Sequence, residues 1–185
     1  MELAEIVSAA ARRPEVVAVV GRVYADLQQE IDARKPICSA SGKCCRFEAY
    51  GHRLYVTTIE LAAFVASLDR SRPTPWDGTG CPYQVKGLCS VHAVRPFGCR
   101  IFFCDPTAEQ WQNEQYETFH NRLKAEHDRL GVPYRYVEWR AALTELGLSA
   151  LSEAGSSFDR PASQTLHSLR TRLASEGNTP TEADS

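Results

Sequence analysis

All seven cysteines of this 185-residue chain fall between Cys38 and Cys104, and the rest of the chain has none. That confinement constrains the fold more than any other feature. Residues 38–45 and 81–104 hold their cysteines among Gly, Pro and Ser, so neither stretch carries the periodicity of a helix or a strand. Segments of this kind bury little apolar surface alone. A crosslink between them would supply order that a core could not.

The cellular compartment decides which crosslink is expected. The N-terminus, Met-Glu-Leu-Ala-Glu, is acidic and has no apolar h-region. Arg12-Arg13 is followed at once by Pro14 and Glu15, so neither a secretory nor a twin-arginine signal is expected. The longest apolar run, 16–20, is far below the ~18 residues that span a bilayer. The expectation is a cytoplasmic protein with no membrane segment, whose thiols are kept reduced. An odd number of cysteines would also leave a disulfide framework with one thiol over. The net charge is −2, with Lys and Arg dispersed along the chain. Nucleic acid is therefore not an expected partner, since it selects a basic excess.

A thiolate metal site remains. Cys38, Cys44, Cys45, Cys81, Cys89, Cys99 and Cys104 are its candidate ligands. Such a site needs deprotonated sulfurs ~2.3 Å from the ion, with donors reachable from a tight turn, and Gly42 permits one. Neighbouring Cys44 and Cys45 should point in different directions. Both on one mononuclear ion is not expected: one packs while the other binds, or they serve two metals of a cluster. Soft thiolates suit zinc, Cu(I) and iron–sulfur clusters alike. The surplus of thiols favours an iron–sulfur cluster slightly over zinc. So do Arg46, Arg95 and Arg100, which could offset thiolate charge, and Phe97, Phe102 and Phe103, which could exclude water. His92 is a possible nitrogen donor, although a surface histidine is its more ordinary role. Cys89 and Arg95 fit the C-x5-R phosphate loop of cysteine phosphatases. The absence of glycine there and the presence of Pro96 argue against that chemistry.

The rest of the chain reads as mainly α. A short helix over 2–12 should break before a longer one over Pro14–Arg34, with Val16, Val19, Val20, Val23, Leu27 and Ile31 inward. Thr57 and Glu60 form a capping box for a helix ending near Asp69. Asp105-Pro106 opens a helix running to Leu130, stopped by Gly131 and Pro133. Further helices are expected over 136–146 and 163–173, with a disordered tail over 175–185. The expectation is one small helical domain, 1–174, whose two irregular cysteine-rich loops are bridged by metal.

The ordered motif adds a resemblance. Cys38-x2-Ser41-Gly42-x-Cys44-Cys45, then Cys81-Pro82, then Cys89-Ser90-Val91-His92-x2-Arg95-Pro96-x2-Cys99-Arg100-x-Phe102 resembles the YkgJ-type cysteine-cluster family of zinc- or iron-chelating domains. The resemblance covers residues 38–104 and implies metal binding by the matching cysteines. Two positions depart from the family pattern. Ser41 stands where the family has its second cysteine, for which Cys104 could compensate, and Val91-His92 replaces Ile-Tyr.

Three functional readings follow. The leading one is a metal-binding protein with a structural or redox thiolate centre. The second is a metal-dependent modifying enzyme, methyltransferase-like, with a pocket lined by His92, Tyr50 or Tyr83. The third is a metal-folded interaction module presenting Trp111, Tyr136 and Trp139.

Overall fold

A computed structural model of the chain describes residues 1–68 and 74–151. The expected helix over 163–173, the tail and the domain boundary at 174 lie outside the described residues. The fold is mainly α, with three small two-stranded sheets among the described residues.

Helix α1 (Leu3–Ala11) buries Leu3, Ile6, Val7 and Ala10, one face at helical spacing. Pro14 opens α2 (Pro14–Arg34), which buries the six apolar residues expected of it. A short helix α3 (Phe47–Tyr50) follows the first cysteine segment. Helix α4 (Thr58–Ala66) begins at the expected capping box, in which Thr57 and Glu60 exchange bonds. It ends before the expected Asp69, because the Ser67 N–H turns back to the Phe64 carbonyl. Helix α5 (Phe97–Ile101) carries Cys99. Asp105 accepts from the Thr107 N–H, but it caps a 3-10 turn, Pro106–Ala108, and α6 (Glu109–Leu130) starts after it. Gly131, in the left-handed region, ends α6 as expected.

One expected helix is partly a strand. Residues 136–146 divide into β5 (Tyr136–Glu138) and α7 (Trp139–Glu145). β5 pairs antiparallel with β1 (Tyr55–Thr57), Val137 opposite Val56. Glu138 is extended and its carboxylate accepts from the Ala141 N–H, so the N-cap sits three residues inside the expected helix. The other pairings are β2 (Thr74–Trp76) parallel to β6 (Ser149–Leu151), and a hairpin of β3 (Gln84–Val85) with β4 (Leu88–Cys89). Lys86 and Gly87 at its tip both have positive φ, 51° and 82°, as a type I′ turn requires.

Two apolar clusters result. One lies among α2, α4, α5 and α6, around Leu27, Ile59 and Leu123. The other holds Val7, Leu61, Phe64, Trp139 and Leu143, together with Phe47 of α3 and Cys45, Cys81 and Tyr83 from the cysteine segments. The expectation that those segments bury little is thereby corrected, since they supply part of a core. Trp139, one of the three rings whose exposure would support the interaction-module reading, is 1% exposed. Trp111 is half-buried and Tyr136 exposed.

A buried carboxylate joins the clusters. Glu60 Oε2 accepts from the Thr57 N–H and hydroxyl, each at 2.9 Å, while Oε1 accepts from the Phe97 N–H at 2.9 Å and the Tyr24 hydroxyl at 3.2 Å. Its partners offset the cost of burial, and the Phe97 bond fixes the start of α5 against α4. Burial nevertheless pushes the Glu60 carboxyl up from its ordinary range.

A candidate thiolate site

The first cysteine segment is shaped by Gly42. Its φ is 67°, and a 3-10 turn follows over Lys43–Cys45. A Cβ at Gly42 would lie 2.2 Å from the Gly87 carbonyl oxygen, so glycine is needed where this turn meets the hairpin. Gln84 Nε2 donates to the Gly42 carbonyl at 2.9 Å and to the Gly87 carbonyl at 3.3 Å. The Cys81 N–H donates to the Cys45 carbonyl at 2.8 Å. A Cβ on Gly80, φ 56°, would come 2.8 Å from that same oxygen. The cysteine segments are thus docked through backbone and amide bonds of their own.

Docking brings thiols together. Cys45, 4% exposed, interacts through its thiol with those of Cys44, Cys81 and Cys89. All seven cysteines are thiols, with no disulfide. The neighbouring Cys44, Cys81 and Cys89 thiols, together with burial, push the Cys45 thiol far up. Its neighbours move the other way. Cys89 is lowered to about 6 and Cys44 to about 7, chiefly by interaction with the Cys45 thiol. Cys81 is lowered by Cys45, then by the Tyr83 N–H and the Trp139 indole. The buried Trp139 Nε1–H lacks a partner at full hydrogen-bond geometry, yet it stands near enough to Cys81 to favour the thiolate. Cys99 is pushed well up by burial and by the neighbouring Cys81, Cys44 and Cys89 charges.

Adjacent Cys44 and Cys45, both on the 3-10 turn Lys43–Cys45, interact with each other through their thiols. Among the described residues, no group of three or more His, Cys, Asp or Glu side chains stands in metal-coordinating geometry.

The expected residues separate into those at the network and those away from it. Arg95 is at it: its charge favours the thiolates of Cys44 and Cys89, and its buried Nε has no partner. His92 is exposed and engaged through Nε2 by the Arg95 guanidinium. Arg100 is structural, donating to the Arg95 carbonyl at 2.9 Å and the Ala93 carbonyl at 2.7 Å, and packing 4.3 Å from the Tyr24 ring centroid. Arg46 is exposed. Cys38 and Cys104 are exposed too, and neither enters the network around Cys45. Cys104 Sγ stands 4.0 Å from Ser41 Oγ, so these two positions are spatial neighbours. Phe97 is buried in the α2–α6 cluster, while Phe102 is exposed and stacks on His52.

Sequence reasoning did not find Trp139 as the cover of Cys81, because a helix face assigned from periodicity cannot say what packs across it. It also missed Arg140, which pairs with Glu48 and, at 3.0 Å, with Glu138. Glu48 in turn accepts from the Gly80 N–H at 2.8 Å, so α7 is tied to the loop before Cys81. A cavity of about 570 Å³ borders the network at Cys44 and Cys99. Tyr50, Tyr83 and His92 do not line it.

No helix among the described residues is long and apolar enough to cross a membrane. No protein-family model, curated protein or solved structure matches this chain, and the resemblance to the YkgJ-type family stands on the cysteine motif alone.

Proposed function

We propose that this chain binds a metal through thiolates, as an iron–sulfur cluster in preference to zinc, in a structural or redox role. The observation that carries the reading is the interaction of the Cys44, Cys81 and Cys89 thiols with the buried Cys45 thiol, with Cys99 beside them. The donor set is soft and suits either metal. Its negative charge would be met by the Arg95 Nε–H and the Trp139 Nε1–H, two buried donor atoms with no hydrogen-bond partner. Cys45 is the thiol that a metal would deprotonate, so loading would release protons. An iron–sulfur cluster would bring one-electron chemistry, and zinc a crosslink. The resemblance to the YkgJ-type family supports the same residues, and the expected cytoplasmic setting would keep them reduced.

A second reading, a modifying enzyme that works at this centre, draws on the cavity beside Cys44 and Cys99. The interaction-module reading is weakened by the burial of Trp139.

The test is purification without oxygen, a visible spectrum and metal analysis. Brown protein with iron and sulfide supports the cluster. Colourless protein with stoichiometric zinc overturns the cluster and keeps the thiolate site. Protein that takes up neither metal overturns the proposal.

A further inference from the structure

We infer that the cavity beside the thiol network binds a small planar aromatic cation. Its volume, about 570 Å³, falls within the ~300–1,000 Å³ of small-molecule sites. Its wall carries the rings of Phe47, Tyr55, Phe102, Phe103, Tyr116 and Tyr136. These rings are held in place. Phe102 stacks on His52 with centroids 5.4 Å apart and planes at 15°, and Tyr55 stacks on Tyr136 at 5.3 Å and 27°. His52 is anchored through Nε2 to the Cys44 carbonyl at 3.3 Å, and the Tyr116 and Tyr136 hydroxyls bond each other. Tyr55, Phe102 and Tyr136 nevertheless remain 38%, 41% and 40% exposed. Three ordered rings open to water on one concavity carry an apolar cost that a ligand would relieve.

Charge selects the kind of ligand. Ring faces are electron-rich and attract cations. Asp105 and Glu109 also line the cavity. The Asp105 carboxylate is already taken by the Ile37 N–H and by Thr107. Glu109 is exposed and has no ion-pair partner among the described residues. Arg53 is the opposing charge on the rim, exposed and screened by solvent. A planar ring can stack on Phe102, whose one ring contact among the described residues is His52, at the usual ~4.5–7 Å, with its charge toward Glu109. Cys44 and Cys99 form part of the wall, so the ligand would lie against the thiol network. The inference does not depend on a metal being bound there.

The experiment titrates thioflavin T, a planar aromatic cation, into the full chain, metal-free and as purified, with the anionic dye anilinonaphthalene sulfonate as the charge-reversed control. Saturable one-to-one binding of the cation is expected, tighter than that of the anion. Phe102→Ala, which removes an exposed ring, should weaken it ~10-fold. Asn113→Trp, which fills the cavity from an exposed helix position, should abolish it, and Glu109→Gln should weaken it ~3-fold. Circular-dichroism melts check that each variant is folded. Binding of the anion as tight as the cation, affinity unmoved by both Phe102→Ala and Asn113→Trp, or no binding at millimolar dye would each overturn the inference. Metal analysis on the same samples is a separate readout: a chain that takes up neither iron nor zinc yet binds the cation refutes the metal reading and supports this one.

Discussion

Cys81 and Cys45 are joined twice: the Cys81 N–H donates to the Cys45 carbonyl at 2.8 Å, and their thiols interact within one network. The backbone bond sets the distance at which the side chains meet. Gly80, immediately before Cys81, keeps that approach open, since a Cβ there would press to 2.8 Å on the same carbonyl.

Glycine substitutions should therefore divide by what surrounds them. Gly42→Ala combines a φ of 67° with a Cβ 2.2 Å from the Gly87 oxygen. It should cost ~3 kcal/mol or more, lowering Tm by ~2–4 °C per kcal/mol in a chain of this size. Gly51→Ala has a similar φ, 63°, with nothing within 4 Å, and should cost only ~1 kcal/mol. Thermal melts of the two variants separate close approach from φ alone.

Single cysteine substitutions should sort by place in the network. Cys45→Ser, Cys81→Ser and Cys89→Ser should each lower bound metal at least ~10-fold, and Cys44→Ser should behave alike. Cys38→Ser and Cys104→Ser, at exposed positions outside it, should keep metal near wild-type levels. Metal per chain, measured after anaerobic purification, checks the division. A uniform loss across all of them would contradict it.

Trp139→Phe keeps most of the packing but removes the indole N–H. Cys81 should then titrate at higher pH, read from the pH profile of its alkylation in the metal-free chain. Trp139→Ala should instead destabilise the fold by ~3–5 kcal/mol, through the cavity left among Phe64, Tyr83 and Leu143.

The metal-free chain should gain stability as pH rises from 6 to 8. Cys89 and Cys44 sit at about 6 and about 7 when folded, below the ~8.5 of a thiol in an unfolded chain. In that window the unfolded state binds more protons, so folding gains with pH, and the gain is lost as pH falls through 6. His127, whose folded value is lowered by burial, acts in the same direction. Above ~8.5 the sign reverses, because Cys45 and Cys99, both raised, resist ionisation that the unfolded chain accepts. Urea titrations at pH 5, 7 and 9.5 should place the middle sample highest.

Glu60→Ala would strip the Thr57 N–H and hydroxyl, the Phe97 N–H and the Tyr24 hydroxyl of one acceptor group. A loss of ~3–5 kcal/mol is expected, with Glu60→Gln recovering part of it. Denaturant melts of both variants give the comparison.

Much of this was legible in the residues. The apolar spacing of α2, the capping box at Thr57 and Glu60, and the stop at Gly131 are local matters, set within a few residues of chain. The confinement of the cysteines likewise marked the stretch where a thiolate site could form. Which thiols meet was not legible, because spacing along irregular loops does not encode it. That depended on Gly42 and Gly80 letting backbones touch, on a hairpin tip with two positive φ values, and on Trp139 packing from a helix far along the chain. The same limit hid β5, whose residues extend because the edge of β1 offers hydrogen bonds and Glu138 caps the helix that follows. Most helices, the stop at Gly131 and the thiol-rich region could be read along the chain, since they follow from short-range periodicity and turn chemistry. That Cys45 is buried among other thiols while Cys38 and Cys104 lie at the surface came from packing, because burial depends on partners distant in sequence.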